Sequence, residues 1–150
     1  MATNAYKQLA KRLAEVVTRS TGHMLIERNS SGKKPPYPFC TYTFTSPYVA
    51  ITSGIVEHEV FECTISLTWH GESGLEVLDL AYKTNKWLRS FAGRSFLSTH
   101  QIAVVSVEGT EQQSNLISTR HERLAGLNIK LRVKDDYIDD DVEFIKTVEI

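Results

Sequence analysis

Apolar side chains recur along this chain with two periods, and the switches between them divide it into elements. Tyr6, Leu9, Ala10, Leu13, Val16 and Val17 fall at helical spacing, with Lys7, Lys11, Glu15 and Arg19 four apart on the other side. That pattern predicts an amphipathic helix over about residues 4–19. Gly22 stands where such a helix would end, and the short apolar stretch HMLIER, residues 23–28, suits a strand. NSSGKKPPYP reads as loop, because its Pro-Pro pair supplies no backbone donors and Gly32 permits unusual dihedrals. In FCTYTFT, residues 39–45, Cys40, Tyr42 and Phe44 share one face and three threonines the other, the mark of a half-buried strand. The clearest period of two follows, where Phe61, Cys63, Ile65, Leu67 and Trp69 alternate with Glu62, Thr64, Ser66, Thr68 and His70. This predicts a strand with one wet face.

Ser73-Gly-Leu-Glu76 matches a capping box, so a second helix starts there. Leu78, Ala81, Tyr82, Asn85 and Leu88 form its stripe, and Val77, Leu80, Trp87 and Phe91 widen it, which predicts that much of this helix is covered. Gly93 marks its end, or a break before a short turn through Phe96 and Leu97. IAVVSV, residues 102–107, is β-branched and apolar enough for a strand covered on both sides, GTEQQSN is a polar loop, and Arg120 to Val133 alternates as a last strand. The order is α-β-β-β-α-β-β. Short connections favour antiparallel neighbours, so the expected class is α+β, a mainly antiparallel sheet of about five strands with two main helices on one face.

Two segments fit this plan less directly. Ser46 to Glu59 is punctuated by Pro47 and Gly54 yet carries Tyr48, Val49, Ile51, Ile55 and Val56, too apolar for an idle linker. It is expected to be a flap or long hairpin that buries itself against something, a neighbouring subunit or another partner. At the other end, Val142, Phe144, Val148 and Ile150 fall on one side of an extended chain, with Lys146 interrupting them, and Asp141, Glu143 and Glu149 fall on the other. The expected division is therefore a domain over residues 1–134, with its flap at 46–59, and an acidic arm over 135–150. The arm either crosses a subunit boundary to pair with a sheet edge or remains a solvated acidic tail. Tyr48, Ile51, Ile55, Val142, Phe144, Val148 and Ile150 are the candidate subunit-interface residues.

Composition sets the class without naming a chemistry. With 150 residues, 41% hydrophobic and 23% charged, the chain can bury one core without disulfides or metals. No apolar run reaches the roughly 18 residues of a spanning helix, so no membrane contact is expected. Charges spread through the first residues do not suit a secretory signal, and the expected place of synthesis and assembly is the cytoplasm. A net charge of −1 conceals an asymmetry: residues 1–38 hold seven Lys/Arg against two acids, and 135–150 hold seven acids against Lys146. Such unlike ends suit contacts between neighbouring subunits, although a charge run also serves as a solvated surface.

The search for a reaction centre finds no convergent set. His23, His58, His70, His100 and His121 are scattered with no metal spacing, and Cys40 and Cys63 fall inside strands, where a thiol is a small buried hydrophobe. In Glu57-His58-Glu59, adjacent residues of an extended chain point to opposite faces, so solvated charges are expected there rather than an oriented base. Asp135-Asp136 with Asp139-Asp140-Asp141 lacks the glycine and closing glutamate of a calcium loop. Lys33-Lys34 beside Tyr37 and Phe39 is a small basic and aromatic patch, but the net charge argues against a dedicated DNA binder. Trp69 and Trp87 read as core or interface anchors. No cofactor, metal or catalytic residue is expected.

PYPFCTYTFTSPY is similar to the YP[FY]xTYxFxSPY opening of phage neck or tail terminator proteins. FECTISLTWHG, LEVLDLAYKTNKWLRSFAGRSFL, IAVVSVEG, RHERLAGLNIKLRV and the closing FIKTVEI resemble that family in order, over nearly the whole chain. The departure is residues 49–59, richer in isoleucine and valine than the polar loop expected there. The resemblance implies a non-enzymatic virion protein at the head-proximal end of the tail that caps the tail tube and stops its polymerisation. It further implies a homo-hexameric ring whose partners are the tail tube protein and a head completion or connector protein, with phage DNA passing through the channel without sequence-specific binding. Another virion connector, such as a head completion or minor tail protein, and a small hydrolase or ligand-binding domain are the alternatives.

Overall fold

In the computed structural model, which describes residues 5–28, 32, 35–51, 58–109, 113–117 and 120–134, the strand with the clearest alternation is the centre of the sheet. The elements are α1 (Ala5–Thr21), β1 (Leu25–Glu27), β2 (Phe39–Ala50), β3 (Val60–Gly71), α2 (Gly74–Arg89), α3 (Phe91–Ser98), β4 (Ile102–Gly109), β5 (Gln113–Ile117) and β6 (Arg120–Lys134). The sheet runs β1-β2-β3-β6-β4, and β5 pairs with β6 off that path. The protein is α+β and its sheet is mainly antiparallel, as the pattern of elements predicts.

Three features differ from the expected order, each for a local reason. β1 pairs parallel to β2, Leu25 opposite Cys40, an arrangement that a tight turn cannot join. The end of the expected polar loop, with Leu116 and Ile117 after it, forms β5, whose backbone pairs with residues 120–124 of β6. The second helix divides at Ser90, whose hydroxyl donates to Trp87 O at 2.6 Å and accepts from Gly93 N at 3.1 Å. Ser90 thus closes α2 and caps α3 at once. Gly93 lies inside α3, not at a helix end; a Cβ there would stand 1.9 Å from Trp87 O, so the corner needs a residue without one.

The alternation of β3 decides the layering. Phe61, Cys63, Ile65, Leu67 and Trp69 are buried under the helices, and their neighbours on β3 are half-buried on the opposite face. β6 repeats the pattern in register, with Ala125, Leu127, Ile129, Leu131 and Val133 opposite Trp69, Leu67, Ile65, Cys63 and Phe61. Leu9, Leu13, Val16 and Val17 of α1 and Val77, Leu80 and Leu88 of α2 close the core. Each such side chain contributes roughly 1.5–3 kcal/mol on burial. The indole of Trp69 donates to Thr84 Oγ1 at 3.2 Å, so the largest core residue has its one polar atom satisfied. Ser73 caps α2 as its sequence predicts, accepting from Glu76 N at 3.4 Å.

β4 departs from expectation in a way that matters below. The run IAVVSV is not covered on both sides: only Ile102 is buried, Val105 is 44% exposed, and no strand among the described residues pairs with its outer edge. β5 and β3 both pair with Arg123 and Leu124, so they flank β6 on opposite sides and β5 lies on the β4 side.

Candidate assembly surfaces

Three places on the subunit carry chemistry that the core does not use. The first is the far half of β2. Its side chains pass from buried at Phe39, Cys40 and Thr41 to exposed from Thr45 onward, while its backbone stays paired with β3 as far as Ala50 opposite Phe61. Tyr48 is 51% exposed and Val49 and Ile51 nearly as much. The expected flap is therefore, in its described first part, a continuation of β2 along β3 with its side chains exposed. Register shifts at Phe44/Ser46 and Ser46/Val49 bend it.

This projecting strand is tied down at its base. The Tyr6 hydroxyl of α1 donates to Pro47 O at 2.7 Å, and the Tyr6 ring stands edge-on to Phe44 at 5.2 Å. Burial, with a smaller contribution from Cys63, holds the Tyr6 phenol above its usual pKa, so it keeps the proton it donates. The Tyr48 hydroxyl donates to the buried carboxylate of Glu59, and its ring tilts against Phe61 at 5.2 Å. His58 adopts a positive φ of 56° at the return of the hairpin and is exposed.

The second surface is the outward face of α2. Leu75, Leu78 and Tyr82 follow at helical spacing and are 76%, 42% and 62% exposed. The prediction that much of this helix is covered thus holds for Val77, Leu80, Ala81 and Leu88 but not for Leu78, Tyr82 and Phe91, which it also placed in the covered stripe. Lys86 reaches over the Tyr82 ring at 5.5 Å, and a groove beside them runs to Gly109 and Leu127. Around the corner, Phe91 at the start of α3 is 88% exposed. The signal for this surface is present in the sequence, as apolar residues on more of the helix than one core can take up. β3 is 12 residues long, the hairpin leaves its first end, and α2 follows its last, so the two apolar surfaces start from opposite ends of the sheet.

The third place is polar. His70 Nδ1 lies 3.0 Å from Glu122 Oε2 and His70 Nε2 lies 2.9 Å from Thr41 Oγ1, and the Tyr37 hydroxyl donates to the same Glu122 oxygen at 3.1 Å. Phe39 stacks on the imidazole at 4.8 Å and Tyr37 on Phe39 at 5.5 Å. Hydroxyl, imidazole and carboxylate in sequence is the order of a nucleophilic relay. Here, however, the Thr41 residue is 5% exposed and Phe39 covers one imidazole face, which leaves a substrate carbonyl no approach to Oγ1. The cluster instead ties β2, β3 and β6 together beneath the β5–β6 hairpin. Tyr37 and Phe39, read in the sequence beside Lys33-Lys34, belong to this stack, and those two lysines lie outside the described residues.

Of the candidate interface residues, Tyr48 and Ile51 stand together on the hairpin; Ile55, Val142, Phe144, Val148 and Ile150 lie outside the described residues. Cys40 and Cys63 are free and buried, and burial pushes both thiols up, Cys63 to about 11. Among the described residues no group of three His, Cys, Asp or Glu could hold a metal ion, and no helix is long and apolar enough to cross a membrane. Residues 6–150 match a family described as phage neck terminator protein. No individual curated protein matches the chain.

Proposed function

Because the chain belongs to the phage neck terminator family, and so is a structural protein of the virion, we propose that it is the ring that closes the head-proximal end of the tail. In this reading six copies form a homo-hexameric ring that caps the tail tube, ends its polymerisation, and offers the opposite face to the head completion or connector protein. DNA passes through the ring without sequence-specific contacts. The mechanism is geometric. A closed ring satisfies its lateral contacts internally, and its two axial faces differ, so a further layer of tube subunits finds no matching surface.

One observation carries the reading: two exposed apolar surfaces begin from opposite ends of one subunit, Tyr48, Val49 and Ile51 on the hairpin and Leu75, Leu78 and Tyr82 on α2. Unlike surfaces on one chain meet head to tail, and head-to-tail contacts generate rings when the rotation closes. The acidic arm, residues 135–150, adds a second tie between neighbours through Val142, Phe144, Val148 and Ile150.

Light scattering on the purified chain, and on the chain bound to assembled tubes, tests the proposal. The expected mass of the ring, or of the increment it adds to tubes, is six times the 17.0 kDa subunit. A protein that remains monomeric on finished tails refutes it. Gold labelling along whole virions separates the terminator from the other connector readings, since a minor tail protein would label away from the neck and a head completion protein would label heads that lack tails.

A further inference from the structure

The unpaired edge of β4 borders a groove of about 630 Å³ between that strand and α3, lined by Arg89, Phe91, Arg94, Ile102, Ala103 and Val104 together with two serines. Three properties of this groove bear on what fills it. It has an open backbone edge: β4 pairs with β6 on one side and with no described strand on the other. Its apolar lining belongs to the core layer, since Ile102, Val104 and Val107 stand opposite Val133, Leu131 and Ile129 of β6, and Phe91 projects beside it with 88% of its surface exposed. Its charge is of one sign, with Arg89 and Arg94 and no carboxylate in the lining.

We infer that this groove receives residues 142–150 of a neighbouring copy as an added strand. The inference rests on the ring-forming reading above and names the surface that its arm would occupy. Residues 135–150 carry seven acids against Lys146, which complements a groove holding two arginines. Val142, Phe144, Val148 and Ile150 alternate with Asp141, Glu143 and Glu149, so an arm lying along β4 places its apolar side chains beside Ile102, Val104 and Phe91. The other face of β4 carries Ala103 and Ser106, small side chains opposite Arg132 and Lys130 of β6, and Arg132 is itself paired with Glu62 of β3. The chain leaves the described domain beside the start of its own β4, where Lys134 N donates to Gln101 O at 3.1 Å, so the experiment below must separate a neighbour's arm from the chain's own. Among the described residues the other open edges are poorer templates: β1 has three residues, β5 has five, and β2 beyond Thr43 is interrupted by Pro47 and two register shifts.

Cysteine pairing between full-length chains tests this. One chain carries Ala103→Cys; a second, made distinguishable by a size tag, carries Glu143→Cys, Ile145→Cys or Thr147→Cys; both native thiols are buried. Mild oxidation of the mixed rings is expected to give a disulfide-linked heterodimer for at least one arm position. A double variant that closes the bond only within its own chain overturns the neighbour as donor, and no bond from any arm position overturns the groove as receptor. Rings of unchanged mass in either case leave the terminator reading standing, whereas chains that never form rings on tubes remove that reading first. As a second measure, Arg89→Glu with Arg94→Glu should raise the concentration for half-assembly at least tenfold. Asp139→Lys with Asp140→Lys on the same chain should restore most of that loss, and failure of this rescue with both parents folded counts against the charge pairing.

Discussion

His70 and Glu122, 52 positions apart in the chain, meet at 3.0 Å where the β5–β6 hairpin leaves the sheet. Glu122 is 5% exposed and also accepts the Tyr37 hydroxyl, so its carboxylate joins β6 to the Tyr37, Phe39 and His70 stack. Glu122→Ala leaves donors from both partners unmatched and is expected to lower stability by about 2 kcal/mol, and Glu122→Gln by less, because the amide keeps one acceptor. Urea unfolding measures both. Losses near zero for both would show that the pairing with His70 and Tyr37 contributes little.

On the hairpin, Ile51→Ser with Ile55→Ser should leave the circular dichroism spectrum of the subunit unchanged and weaken ring formation, because Ile51 has no place in the core. Global unfolding of this variant would mean that the hairpin is part of the subunit's own core.

Tyr82→Ala and Leu75→Ala remove side chains that are 62% and 76% exposed. Their effect on subunit stability should stay within roughly 0.5 kcal/mol, as for surface positions in general. Ring formation should nevertheless fall by tenfold or more if this face meets the next copy, which sedimentation across a concentration series reads directly.

Gly93→Ala is expected to open the α2–α3 corner, since the added Cβ would stand 1.9 Å from Trp87 O. Overpacking at such a contact costs roughly 1–3 kcal/mol. A melting temperature equal to that of the parent would show that the corner relaxes without cost.

The cysteines give a pH prediction. Burial raises both thiols in the folded chain, Cys63 to about 11, above the value of an unfolded thiol. A raised folded pKa contributes stability that is complete below the unfolded pKa of about 8.5 and is lost as pH rises through the folded value. The fold should therefore weaken between about pH 8.5 and 11, and Cys63→Ala should lose part of that dependence. Thiol reagents at neutral pH should label neither site until the chain unfolds.

What the sequence discloses about this protein follows from how local each signal is. The alternation of β3, the stripe of α1 and the capping box at Ser73 are written within a dozen residues, and each is found where it is expected. The parallel pairing of β1, the exposure of β4 and the meeting of His70 with Glu122 depend on which strands become neighbours, which no single window contains. Gly93 is an intermediate case. Its position is visible, but the reason for it is a carbonyl six residues earlier, brought close by a corner whose angle the pattern does not encode.

The contact of Tyr6 with Pro47 has a consequence for speed of assembly. Because α1, Phe44, Phe61 and Glu59 already hold the root of the hairpin, the directions of Tyr48 and Val49 are set in the free subunit. Docking such a surface loses little conformational entropy, so most of its encounters with a correctly placed neighbour can be productive. Tyr6→Phe removes one hydroxyl and no apolar surface. It should slow the rate at which the complex forms and weaken the complex by the same ordering cost, so stopped-flow mixing and an equilibrium measurement should report matching changes.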